Sequence, residues 1–169
     1  DLQNAESFLN PKLRDGLPDP STLLDMDKAV DRVIDALVKN QKIAVFGDYD
    51  VDGATSSALL KRYFGALGFD LDIYIPDRVK EGYGPSRGAF ESLLKRKVEL
   101  VLTVDCGTTA HKALGFAETA GLDVIVLDHH SSGPSLPKCA ALVNPNRMDD
   151  RSGQGALAAV GVVFLFLVA

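Results

Sequence analysis

Three short apolar runs in this chain each end in acid: Asp48, Asp50 and Asp52 follow Ile43-Ala44-Val45-Phe46, Asp105 follows Leu100 to Val104, and Asp128-His129-His130 follows Val124 to Leu127. Carboxylates and imidazoles gathered on one edge suit divalent metal, and two ions about 3.5 to 4 Å apart activate water against a phosphate ester. Imidazole among the ligands suits manganese, iron or zinc better than magnesium alone. Adjacent histidines can divide the work, one binding metal while the other, kept protonated by its neighbours, steadies a phosphate oxygen. Singly, each cluster has a plainer explanation: Asp52 caps the helix that follows it, and His129 and His130 are solvated loop side chains. Three clusters at corresponding strand ends weigh against those explanations together. Arg78 and Lys80, followed by Glu81-Gly82-Tyr83-Gly84-Pro85-Ser86, place positive charge and an aromatic on a glycine-flexed loop. Such a loop can hold phosphates and stack a base, although a solvated turn fits its composition equally well. His111 reads as a surface residue at a helix start, and Lys95-Arg96-Lys97 as a helix C-terminus favoured by the dipole.

These residues need strands that stop where the acids begin. The runs are apolar and rich in β-branched residues, as parallel strands covered on both faces are. The pattern predicts helices over 27–39, 53–67, 86–97 and 110–120, alternating with strands over 42–46, 70–75, 100–104, 123–127 and 140–143. Such alternation implies right-handed crossovers and an α/β fold in three layers, a mainly parallel sheet with helices on both faces. Ligands bind at the carboxyl edge of such sheets. If the strand before Asp105 packs beside Lys42 to Phe46, Asp105 faces the first cluster and can bridge two ions. Gly53 permits the bend after Asp52, and Thr55, Ser56 and Ser57 open a helix whose amino end favours a phosphate. One domain is expected over 1–169: an irregular arm over 1–25 with Pro11, Pro18 and Pro20, an α/β core over 26–150, and an apolar helix over 154–169. That helix ends without a polar stop, so the chain reads as cut on its C-terminal side. It is shorter than the roughly 20 residues of a membrane span.

The 169 residues are 46% hydrophobic and carry a net charge of −5, which argues against holding nucleic acid by a general positive field. A nuclease remains compatible, because basic loops can track a backbone while carboxylates hold metal. Cys106 and Cys139 form no Cys-x-x-Cys pair and read as reduced, buried thiols. Asp1 to Asp15 contain no secretory signal, and a cytoplasmic protein is the expectation. Asp50-Val51-Asp52-Gly53-Ala54-Thr55 also resembles the nucleophile loop of haloacid-dehalogenase phosphatases, with Asp50 attacking phosphorus, but that chemistry has no use for Asp128-His129-His130. A phospho-receiver would need a lysine near Leu142-Val143-Asn144, and a dinucleotide-binding fold would need Gly-x-Gly-x-x-Gly after the first strand; neither is present.

In order along the chain stand Gly47-Asp48-Tyr49-Asp50-Val51-Asp52-Gly53-Ala54-Thr55-Ser56, Arg78 with Gly82-Tyr83-Gly84, Val104-Asp105-Cys106-Gly107, Asp128-His129-His130, Val143-Asn144-Pro145-Asn146 and Leu157-Ala158-Ala159-Val160-Gly161-Val162. Together they resemble the DHH phosphoesterase superfamily and, within it, the RecJ family of single-strand-specific DNA exonucleases. That resemblance implies 5′-to-3′ degradation of single-stranded DNA in recombination and repair, with manganese or magnesium. It implies Asp50, Asp52, Asp105 and His129 as metal ligands with Asp105 bridging, and Asp48 and Asp128 in supporting or ligand roles. It puts His130 and Arg78 on the scissile phosphate, with Tyr83 and Gly84 beside the strand. Other superfamily members hydrolyse short oligonucleotides or pyrophosphate, and many carry a histidine where Phe46 stands here, four residues before Asp50. The phenylalanine favours the RecJ family and leaves one ion short of a ligand. The family also has a further aspartate, a second DHH-associated domain and a DNA-binding fold, which the resemblance sets beyond Ala169. It therefore implies a metal site missing one part, and weak or absent activity in these 169 residues alone.

Overall fold

The computed structural model describes residues 5–169. In chain order its helices are α1 (Ala5–Leu9), α2 (Leu13–Gly16), α3 (Met26–Val38), α4 (Val51–Ala66), α5 (Arg87–Lys95), α6 (His111–Thr119) and α7 (Ala159–Val168). Its strands are β1 (Ile43–Gly47), β2 (Asp72–Tyr74), β3 (Leu100–Val104), β4 (Asp123–Leu127) and β5 (Ala141–Val143). The strands form one sheet in the order β2-β1-β3-β4-β5, with every pairing parallel. The expected three-layer α/β fold is the observed one.

Alternation along each strand divides the core. Ile43, Val45, Leu100, Leu102, Val104, Ile125 and Leu127 pack beneath α3, α4 and α7, while Ala44, Phe46, Val101, Val124 and Val126 pack beneath α5 and α6. Phe46 is fully buried, stacked on Tyr74 at 5.4 Å between centroids and tilted against Phe90 at 6.4 Å. The chain leaves β1 through α4 on one face to reach β2, then returns through α5 on the other face to β3. The strand order therefore reverses between β1 and β3, and the crevice at such a reversal is where ligands bind in open α/β sheets.

Beside shifts of a residue or two, such as α4 opening at Val51 rather than 53 and β2 spanning Asp72–Tyr74 rather than 70–75, two regions differ from the sequence expectation. The arm contains α1, α2 and a 3-10 turn at Pro20–Thr22, where Asp19 accepts a hydrogen bond from the Ser21 amide and proline opens the turn; residues 1–4 of that arm lie outside the described residues. The apolar helix starts at Ala159 rather than 154, because Ala158 offers no side-chain cap and the Asp52 carboxylate takes that place, accepting from the amides of Ala159 (2.7 Å) and Val160 (2.8 Å). Both cysteines are free thiols; Cys106 is buried as expected, and Cys139 is partly exposed. Among the described residues, no helix is long and apolar enough to cross a membrane.

The edge strand β5 is closed by side chains. Asp25 accepts from the Leu142 amide at 3.2 Å, and Arg147 donates to the Leu142 carbonyl at 2.7 Å and to Asp25 at 3.0 Å. An acid and a base thus take up polar groups that a sixth strand would otherwise use. At the functional edge, α4 packs so closely on the turn after β1 that a Cβ on Gly53 would stand 2.4 Å from the Asp48 carbonyl oxygen and 2.6 Å from its nitrogen. Gly53→Ala is accordingly expected to lower unfolding free energy by about 1 to 3 kcal/mol. Urea denaturation measures it, and an unchanged midpoint would show that α4 moves aside at no cost.

Candidate metal centre

Parallel pairing sets Gly47 beside Val104, Val104 beside Leu127, and Leu127 beside Val143. The next residue of each strand then donates onward: the Asp48 amide to the Val104 carbonyl (3.3 Å), the Asp105 amide to Leu127 (3.1 Å) and the Asp128 amide to Val143 (3.1 Å). Three acids from three strands stand in one row. Asp48, Asp105 and Asp128 are 3%, 2% and 1% exposed.

Two groups of ligand atoms result, each lying within 4.8 Å: Asp48, Asp50 and Asp105, and Asp105, His129 and His130. Asp105 belongs to both, as the adjacency of β1 and β3 required. Its backbone takes the left-handed conformation at φ 60°, uncommon outside glycine, and the Tyr83 hydroxyl donates to its carbonyl at 3.1 Å. Among the described residues, one buried oxygen each of Asp48 and Asp105 makes no hydrogen bond, although His129 Nε2 lies 3.3 Å from that of Asp105. Unpartnered buried carboxylate oxygens facing imidazole nitrogen are the donors a divalent cation takes, so the residues fit a metal. Burial, then the neighbouring Asp50 and Asp52 carboxyls, push Asp105 up to about 8. Burial also raises Asp48, whereas the Gly53 amide holds Asp50 low.

The two aspartates expected as ligands after β1 differ in their engagements. Asp50 Oδ1 caps α4, accepting from the amides of Asp52 (2.9 Å) and Gly53 (3.0 Å), and still reaches the first group. Asp52 caps α7 and approaches His129 Nε2 at 3.6 Å, outside both groups. The cap on α4 expected of Asp52 is thus made by Asp50.

Asp128 holds the loop that follows it. Its Oδ2 accepts from the Thr108 amide at 3.0 Å, and its Oδ1 from the His129 amide at 2.7 Å, the His130 amide at 3.2 Å and His130 Nδ1 at 2.8 Å. With its oxygens so committed it supports the histidines and stands in neither ligand group. Burial opposes its charge, but the bonds from Thr108 and His130 outweigh it and keep Asp128 low. Burial likewise opposes charge on His130, and the Asp128 bond and charge raise it nonetheless. His129 Nδ1 lies 3.1 Å from the Leu157 carbonyl, an acceptor only, so Nδ1 carries the proton and Nε2 presents a lone pair to Asp105.

Asparagines complete the support. Buried Asn144 donates to Thr108 Oγ1 and to the His130 carbonyl, both at 2.8 Å, and Asn146 donates to the His129 carbonyl at 2.6 Å. Their segment was legible as a motif, but no local pattern assigned it this role, because its partners lie on other loops. The Arg78 loop borders the same edge. The Tyr83 ring is half-exposed and meets the His130 ring edge-on at 5.9 Å, and the Tyr83 hydroxyl is kept protonated by burial and the nearby acids. Gly84 is buried with φ 74°. Arg78 is exposed, with its guanidinium over the Tyr49 ring. His111 is exposed, as expected, and outside the groups. A cleft of about 480 Å³ lined by Asp25, Lys138, Cys139 and Arg147 opens at the opposite, amino edge of β4 and holds none of these residues.

Fold and site together define an α/β domain with a carboxylate-imidazole centre at the carboxyl edge of its sheet. The chain belongs to the DHH family, whose N-terminal domain matches residues 42–168. It is 41% identical over 162 residues to the single-stranded-DNA-specific exonuclease RecJ of Bacillus subtilis, covering 96% of this chain and 20% of that protein. It superposes on a crystal structure of exonuclease RecJ bound to manganese with a TM-score of 0.77 at 38% identity, covering 86% of this chain and 37% of the other. The RecJ of Thermus thermophilus in complex with Mn2+ gives a TM-score of 0.70 at 34% identity, over 86% of this chain and 20% of that one. The chain thus spans about a fifth of the Bacillus protein's length. Membership in the DHH family sets aside the haloacid-dehalogenase reading of Asp50.

A carboxyl raised above its ordinary value of about 3.9 binds its proton more tightly folded than unfolded, so folding costs more as pH rises. Asp105 therefore subtracts stability from the metal-free protein between about pH 4 and its folded value of about 8. Asp105→Asn is expected to flatten that decline, seen as urea midpoints across the range. Parallel curves for parent and variant would show that Asp105 titrates normally.

Proposed function

We propose that the protein is a metal-dependent phosphodiesterase that degrades single-stranded DNA from the 5′ end, using manganese or magnesium, in cytoplasmic recombination and repair. The observation carrying this reading is the place of Asp105 in both ligand groups, with a buried oxygen that makes no hydrogen bond among the described residues. When bound, two divalent ions supply a Lewis acid and a hydroxide-like nucleophile. Asp48, Asp50, Asp105 and His129 Nε2 hold them, and Asp52 stands behind His129. Asp128 biases His130 toward its charged form, and as imidazolium it donates to a phosphate oxygen. Arg78 takes another oxygen, and Tyr83 offers its half-exposed ring to a base above buried Gly84.

An acidic edge on a chain of net charge −5 repels a phosphodiester until cations enter. Metal is thus required for substrate to approach as well as for water to attack. The RecJ relatives are far longer than the matched segment, and we place a DHH-associated domain and a DNA-binding fold in such further sequence, gripping the rest of the strand. In the full-length protein, manganese-dependent digestion of a 5′-phosphorylated single strand is expected, abolished by chelator and cut about a hundredfold or more by Asp105→Ala. Faster turnover of a dinucleotide or pyrophosphate than of the long strand would move the assignment to another branch of the superfamily, and an active Asp105→Ala would remove the bridging role.

A further inference from the structure

Tyr49 lies between Asp48 and Asp50 and takes no part in either ligand group. Its ring carries the Arg78 guanidinium, whose carbon is 5.1 Å from the ring centroid. The ring is partly buried and the arginine exposed, so the platform is seated while the cation keeps a solvent side. Among the described residues Arg78 makes no ion pair or hydrogen bond, whereas Arg32, Arg87, Arg96 and Arg147 each reach a carboxylate. The segment bearing Arg78 is pinned: Asp77 Oδ1 accepts from the amides of Val79 (2.9 Å) and Lys80 (3.2 Å), and Glu81 Oε1 from the Asp77 amide (2.8 Å).

A lone guanidinium beside this many carboxylates has an obvious resting place, in ion pairs with the acids that metal needs. Contact with an aromatic face offers another, in which the planar cation lies against the ring and its N–H edge stays open for a phosphate fork. We propose that Tyr49 is a positioning residue for phosphate recognition, holding the Arg78 guanidinium on its ring beside the acidic row and ready for a phosphate of single-stranded DNA. The inference rests on the phosphodiesterase reading above. It explains why an aromatic stands between two acids of the site, and it requires arginine rather than lysine at 78, since an ammonium neither lies flat nor binds bidentately.

The test uses the full-length protein, manganese and a 5′-phosphorylated single strand. Tyr49→Leu is expected to raise KM about fivefold with kcat within about twofold of the parent, and Tyr49→Phe, which keeps the ring face, to restore the parental KM. Because the ring acts only through the cation, Tyr49→Leu is expected to add nothing to Arg78→Ala in the double variant. Arg78→Lys is expected to fall with Arg78→Ala rather than with the parent. Manganese affinity and thermal midpoint of Tyr49→Leu stay at parental values in the expected result. A parental KM in Tyr49→Leu, full additivity in the double variant, or a joint fall in metal affinity and midpoint overturns the proposal. If the parent fails to cleave single strands, the phosphodiesterase reading fails by itself, and the placement of Arg78 is read by NMR. Upfield ring-current shifts of its side-chain protons, kept in Tyr49→Phe and lost in Tyr49→Leu, support the proposal; unshifted protons in the parent overturn it.

Discussion

Three backbone amides, those of Asp48, Asp105 and Asp128, reach one residue beyond their strands to the last carbonyl of the next strand, and the centre depends on that step. Like charges about 4 Å apart repel by about 4 kcal/mol at an effective dielectric constant near 20, so the mutual repulsion of the carboxylates works against this row. It is held by the register of β1, β3, β4 and β5, and the register is held by apolar layers on both faces. A slip of one residue would turn every strand side chain to the other face, exchanging Phe46 and Val126 with Val45 and Leu127. The folding core and the acid row are consequently set by one constraint. The repulsion that remains is relieved in the metal-free protein by a proton on Asp105, pushed up to about 8, and it is the state a cation displaces.

The three residues of the Asp128-His129-His130 loop divide their roles through their partners. Asp128 turns inward to Thr108 and to the histidine amides. His129 is fixed by the Leu157 carbonyl, which comes from the segment leading into α7, and α7 in turn begins on the Asp52 carboxylate. His130 is fixed by Asp128 from within and by Asn144 at its carbonyl. Each imidazole therefore has one nitrogen settled by the protein. For His129 that leaves a lone pair among carboxylates, and for His130 a group biased toward the charged form at the same edge.

Much of this was legible from residue types. The strands Leu100–Val104 and Asp123–Leu127 end where hydrophobic patterning ends them, whereas the pairing of β1 with β3 entered the sequence reading only as a condition and is supplied by the sheet. The acids that patterning set at strand ends, Asp48, Asp105 and Asp128, do follow β1, β3 and β4 directly. The misplaced feature was the use made of Asp52, whose partners in α7 lie 107 and 108 residues along the chain. Capping preferences describe a residue and its near neighbours, and they contain nothing about a helix arriving from elsewhere. Asn144 and Asn146 were hidden for the same reason, since each donates to a loop reached only through the fold. The apolar helix was placed too early because hydrophobicity marks burial, whereas its first turn is set by that distant carboxylate.

At Phe46 the apolar floor of β1 meets the acids that follow the strand. A histidine there would face the layer beneath α5 and α6, as Phe46 does, and would sit two residues before Asp48 on the same side of β1. Phenylalanine instead stacks on Tyr74, meets Phe90 at a tilt and keeps that side of the strand dry. A dry floor disfavours charge above it, which agrees with burial being the first cause that raises both Asp48 and Asp105. An ion held beside Asp48 would have carboxylates but no imidazole from β1, so more of its coordination would fall to water or to oxygens of a bound phosphate. In a hydrolytic centre an open coordination position is one at which substrate or attacking water can be held.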